Sequence, residues 1–218
     1  RVPFAVRKAI LEMRPRPTTR RAFLVGGTVS LAGCGLQPEE SDPIKAAATT
    51  PAELPEADAT EAGYSLETED ERTVETTVSA EISGDVETTA RRDVEATVFR
   101  RIYTDGAAAR FGVVTAPLVD LLSGQELFRD PIVALDDAAA IEHATDRSVN
   151  DPKSDGDASV TLLGTETTGA RLTGTVDGTP VSVVRASVTA DEDGVTAVAV
   201  VPSDGTIPPL FEAVRRGE

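Results

Sequence analysis

Tryptophan is absent from this chain, and cysteine, histidine and methionine occur once each. A single cysteine cannot close an internal disulfide, so no covalent staple holds the fold. A single histidine means that any serine triad or Cys–His pair would have to use His143. It stands in Ile141-Glu142-His143-Ala144, where a short helix would leave it solvent-facing or half-buried. Zinc would find one imidazole, one thiol and otherwise only carboxylates. We therefore expect no catalytic residues, no metal and no cofactor. With two tyrosines and no tryptophan there is little to stack a sugar ring, which weighs against a glycosidase. Gly26-Gly27 lies inside an apolar run and makes no phosphate loop.

Positive charge is also scarce. The 218 residues carry 21 basic and 37 acidic side chains. Seven of the basic ones (Arg1, Arg7, Lys8, Arg14, Arg16, Arg20, Arg21) and a single acid, Glu12, precede residue 34. Subtracting these leaves 14 basic and 36 acidic groups, a net charge of −22 over residues 34–218. A surface of that sign repels nucleic acid, which needs a basic face. It also repels itself until salt shortens the reach of each charge from about 10 Å at 0.1 M to about 3 Å at 1 M. Acids spread along the whole chain, with Lys45 and Lys153 the only lysines after residue 33, read as the surface of a halophile. Local clusters (Glu67, Glu69, Asp70, Glu71; Asp191, Glu192, Asp193) supply oxygen ligands of the kind calcium takes, but their spacing matches no EF-hand loop.

The N-terminal third carries an address. Residues 18–34 read TTRRAFLVGGTVSLAGC. The apolar stretch Phe23–Ala32 is about half the roughly 20 residues a bilayer span needs, so it reads as a signal core. Arg20 and Arg21 ahead of Phe23 and Leu24 resemble a twin-arginine export signal, read by a receptor that passes folded proteins. Leu31-Ala32-Gly33-Cys34 resembles a lipobox, with lipid on the Cys34 sulfur and the outer face of the cytoplasmic membrane as destination. On this reading residues 1–33 are the signal region, and 1–12 stand upstream of a true start at Met13. Residues 34–58, with four prolines and little apolar material, are expected to be a flexible tether. Residues 59–218 would form a single globular domain.

Within that domain Thr73–Ile82 alternates apolar and polar residues, a strand with one dry face. Ser83-Gly84-Asp85 supplies a turn, and Val94, Ala96, Val98 and Ile102 continue the pattern; Ala109–Thr115 gives a third strand. Leu118–Leu122 reads as helical or irregular, Asp136–Ala144 as a helix capped by Asp136 or Asp137, and Asp146–Asp157 as a disordered loop. Four further strands follow: Val160–Glu166, Ala170–Val176, Val181–Thr189 and Val195–Val201. Asp177-Gly178 and Asp191–Gly194 are read as turns among them. Pro208-Pro209 should open a terminal helix carrying Leu210, Phe211 and Val214. The expected class is α+β: about seven mainly antiparallel strands in two runs, each with one dry face, a short middle helical segment and a C-terminal helix.

The signal with its lipobox, the stretch Phe111–Pro117, the stretch Val160–Thr168, the Ala170–Val201 meander and the expected terminal helix together resemble a haloarchaeal lipoprotein family, the domain of unknown function DUF6517. The likeness spans residues 18–34 and about 62–218. It implies location and fold and transfers no activity. The leading expectation is a non-enzymatic, lipid-anchored surface domain that binds a protein partner or small ligand. The rival is an extracytoplasmic hydrolase using two carboxylates about 5–10 Å apart.

Overall fold

The alternating run at Thr73–Ile82 belongs to the longest hairpin of the protein. A computed structural model describes residues 42–82, 88–122 and 127–217. In chain order, β1 (Ile44–Ala47) and β2 (Ala52–Glu53) are followed by a short helix α1 (Glu56–Glu61). The hairpin β3 (Ser65–Ile82) and β4 (Thr88–Thr104) comes next, then β5 (Arg110–Pro117) and the two-residue strands β6 (Val119–Asp120) and β7 (Phe128–Arg129). Helix α2 (Asp137–Thr145) leads into the meander β8 (Asn150–Leu162), β9 (Thr165–Val176), β10 (Thr179–Ala190) and β11 (Asp193–Pro202); β12 (Arg215–Arg216) is the last described strand. Among the described residues no helix is long and apolar enough to cross a membrane.

Eight strands form one mixed sheet in the order β1-β4-β5-β11-β10-β9-β8, with β3 on the other edge of β4. β5 and β1 share the inner edge of β4, β5 against Phe99–Thr104 and β1, parallel, against Val94–Thr97. The two expected runs of strands are therefore one sheet, joined where β5 meets β11 (Val113 opposite Ala197). Both faces are buried there. On one face Phe111, Val113, Val195 and Ala197 pack with Leu54, Ala59, Tyr64 and Phe211. On the other, Val114, Ala116, Val198 and Val200 pack with Ile132, Ile141 and Ala144. Central strands covered on both sides read as continuous apolar runs, which is what Ala197–Val201 is.

The α+β expectation is thus overturned: the protein is mostly β, with two helices among the described residues. Two segments account for most of the difference. Asp146–Asp157, expected to be a disordered loop, supplies much of β8, whose polar first half pairs with β9 through two register shifts. An edge strand exposed on both faces needs no apolar alternation, so its pattern hides it. The expected C-terminal helix is only a 3-10 turn, Phe211–Ala213, because Arg215 and Arg216 pair with Glu53 and Ala52 in β12–β2. The expected tether is likewise part of the fold from β1 onward, so the body begins before residue 59. A four-residue strand is too short to show a period.

Local readings fared better where the chemistry was specific. Asp136 caps α2, its Oδ1 accepting from Ala139 N at 2.8 Å. Asp177 and Gly178, both at positive φ (50° and 79°), form the two-residue β9–β10 turn. The Asp191–Gly194 turn is shorter than expected: only Asp191 and Glu192 lie in the loop, and Asp193 opens β11. Val160–Glu166 is broken by a turn at Leu163-Gly164, with φ of 52° and 73°.

Candidate functional site

Arg20, Arg21, Phe23, Leu24, Leu31, Ala32, Gly33 and Cys34 lie outside the described residues, as does the turn at Ser83–Asp85. His143 is half-buried on α2, where its carbonyl accepts from Arg100 Nη1 at 3.3 Å; burial and the nearby guanidinium of Arg72 lower its pKa. Of the acids in the two clusters that resemble calcium ligands, Glu67, Glu69, Asp70 and Asp193 are engaged by other partners. Glu67 pairs with Arg110 at 3.0 Å and Glu69 with Arg101 at 2.6 Å, while Asp70 takes both ends of the Arg100 fork at 2.8 Å. Alternation along a strand sends Glu69 and Asp70 to opposite faces, so they cannot converge on one ion.

Two buried charges are structural fasteners. Arg100, 1% exposed, also reaches Asp146 Oδ1 at 2.5 Å beyond the C-terminus of α2, and its bond holds the Asp70 carboxyl below the usual range. Asp193, fully buried, accepts from Thr49 N at 3.1 Å, Thr49 Oγ1 at 2.7 Å, Thr50 N at 3.2 Å and Arg216 Nη2 at 3.0 Å. It ties the segment after β1 and the C-terminal strand to the start of β11. A carboxylate with its lone pairs occupied in this way is a fastener and has no capacity left for a metal.

The arrangement that remains open is a cleft of about 510 Å³ beside the segment Phe128–Ala134. Its walls are Thr77–Ser79 of β3 and Ser187–Thr189 of β10, with Leu118 behind. The β6–β7 ladder (Val119 opposite Arg129, Asp120 opposite Phe128) holds one side, and Leu118 N donates to Glu192 O at 2.9 Å. A turn begins at Asp130, whose Oδ1 accepts from Ile132 N at 2.8 Å and whose carbonyl accepts from Ala134 N at 3.2 Å. This turn drives Ile132 into the core and leaves Val133 outside. Phe128 is 50% exposed and Val133 49%; Leu66 is the other exposed large hydrophobic among the described residues. At the back of the cleft Ser187 Oγ and Thr196 Oγ1 share a 2.7 Å hydrogen bond.

Asp130 is the titratable group of the cleft. Burial pushes its pKa up from 3.8 to about 6, against the pull of the Ile132 and Val133 N–H groups and of the Arg185 charge. At neutral pH it is a partly buried carboxylate held at a cost, and below about pH 6 a neutral hydrogen-bond donor.

A second cleft, about 560 Å³, lies at α1 and is marginally larger, but Glu53, Glu69, Arg101 and the Tyr103 hydroxyl in its lining are already engaged. Glu53 and Glu69 both pair with Arg101 (3.1 and 2.6 Å), and the Tyr103 hydroxyl bridges Leu54 N and O (2.9 and 3.2 Å). We therefore take the Phe128 cleft as the candidate site. Sequence reading missed it: Phe128, Val133, Ser187 and Thr189 carry no motif, and Asp130 is one of 37 acids. The Asp130-Pro131 dipeptide was the single available turn signal.

The chain belongs to the family of the domain of unknown function DUF6517, which matches residues 51–216. Comparison with curated proteins and with solved structures returned no match.

Proposed function

We propose that this protein is an exported, lipid-anchored binding domain on the surface of a halophile, with the Phe128 cleft as its binding site. The anchor reading rests on the twin arginines, the short apolar run and Cys34 in Leu31-Ala32-Gly33-Cys34. Export by the twin-arginine machinery suits a domain that folds before crossing. The halophile reading rests on the −22 charge after residue 33.

The binding reading rests chiefly on Phe128 and Val133. A half-exposed ring and a half-exposed aliphatic side chain on one cleft are an apolar patch that the fold leaves open to solvent. The hydrolase alternative has less support at this cleft, since Asp130 is the one carboxyl among its described lining residues.

The experiment is fractionation. Cys34→Ser should move the protein from the membrane pellet to the medium; if it stays in the pellet after a high-salt wash, the anchor reading is wrong.

A further inference from the structure

Two strand edges end in the cleft without a ladder partner. Among the described strands β3 pairs only with β4, so its outer edge presents the backbone N–H and C=O groups of alternate residues along Thr77–Ser79. β10 pairs with β9 only from Thr179 to Arg185; from Ala186 to Ala190 its ladder is with β11 alone. On that side the Ser187 carbonyl takes one long contact, 3.5 Å from Thr167 Oγ1. Thr77–Ser79 and Ser187–Thr189 both line the cleft, with Phe128 and Val133 beside them. A row of open backbone groups is complemented by another extended backbone, and the apolar patch next to it supplies a seat for a side chain.

We propose that the cleft takes an extended polypeptide segment of a partner protein, which adds as a strand along Thr77–Ser79 of β3 and seats an apolar side chain on Phe128 and Val133. The proposal rests on the reading of this cleft as the binding site. The segment is basic. Glu75 and Glu81 stand on β3 on either side of the open stretch; on β4 behind it Asp93 is countered by Arg91 and Arg92, and Arg129 is the sole cation among the described lining residues. The same glutamates disfavour a second copy of this chain, because antiparallel pairing of two β3 edges centred on Val78 would set Glu75 of one copy opposite Glu81 of the other.

The test uses the full chain, immobilised at high salt, and a random heptapeptide library displayed on phage. The peptide recovered is resynthesised in two forms, N-methylated at its odd or at its even residues. Strand addition uses the N–H groups of alternate residues, so one form should bind about tenfold or more weakly and the other like the parent. Phe128→Asp, at a half-exposed position, should lower affinity by a similar factor. If both methylated forms bind like the parent, strand addition is overturned while the cleft reading stands. If Phe128→Asp binds the peptide unchanged, both fall. Recovery of no peptide, or binding of neutral sugars in its place, overturns the strand proposal, as does a concentration-dependent dimer that Phe128→Asp dissolves.

Discussion

The carboxylate of Asp130 lies directly against the bare α-carbon of Gly194, so that a side chain built at Gly194 would run into Asp130 Oδ2. Gly194 is paired in the sheet on both sides, with Ala116 on β5 and Thr189 on β10. The backbone cannot yield, and the glycine is what lets the Asp130 turn pack down on β11. The position of the cleft wall follows from that one missing methyl group.

Gly194→Ala should therefore destabilise the protein by about 1–3 kcal/mol, the usual cost of overpacking. The check is a denaturant titration showing a lower midpoint with unchanged slope. In an Asp130→Ala background the same substitution should cost measurably less, since the two residues share one contact.

Asp130 also gives the stability a pH signature. Its folded pKa of about 6 lies above its ordinary 3.8, so between these values the folded chain binds a proton that the unfolded chain has released. The stability it contributes is full below about pH 4 and is lost as pH rises through about 6, by something on the order of 2–3 kcal/mol. Asp70, held low by Arg100, runs the other way and loses its contribution as pH falls. The Asp130 effect is isolated by subtracting the pH profile of Asp130→Asn from that of the wild type. The difference should slope between pH 4 and 7 and be flat above.

Asp193→Ala should cost about 3 kcal/mol or more, because it leaves Arg216 and two backbone N–H groups without their buried acceptor. Hydrogen exchange should show the loss locally, with protection falling at residues 44–50 and 215–217 while β10 and β11 keep theirs.

The parts of this fold that were legible from sequence are those whose signal is local. Asp136 announced its helix through one side-chain bond, and Asp177-Gly178 announced its hairpin through two positive φ values. What was not legible depends on partners far along the chain. Ile44–Ala47 is a strand because β4 offers an edge beyond β5; Arg215-Arg216 is a strand because Ala52-Glu53 waits for it. The cleft is of the second kind. Thr77, Phe128 and Ser187 are brought together by the sheet and the turn at Asp130, and no spacing in the sequence relates them.

The acidic surface predicts its own solvent dependence. Residues 34–218, at −22, should melt at markedly higher temperature in about 3 M KCl than at 0.1 M, as screening removes the self-repulsion and salt strengthens apolar burial. Circular dichroism across a salt series checks this; a melting temperature indifferent to salt would count against the halophile reading.

The most direct measurement is site-specific photo-crosslinking in intact cells, with a photoreactive phenylalanine placed at position 128 and, as control, at Leu66, an exposed hydrophobic in the other cleft. The account predicts a discrete adduct with another polypeptide from position 128, absent from position 66, and recovered in the membrane pellet unless Cys34 is replaced by serine. Adducts equal at both positions, none at 128, or a protein found with the cytosol would contradict it.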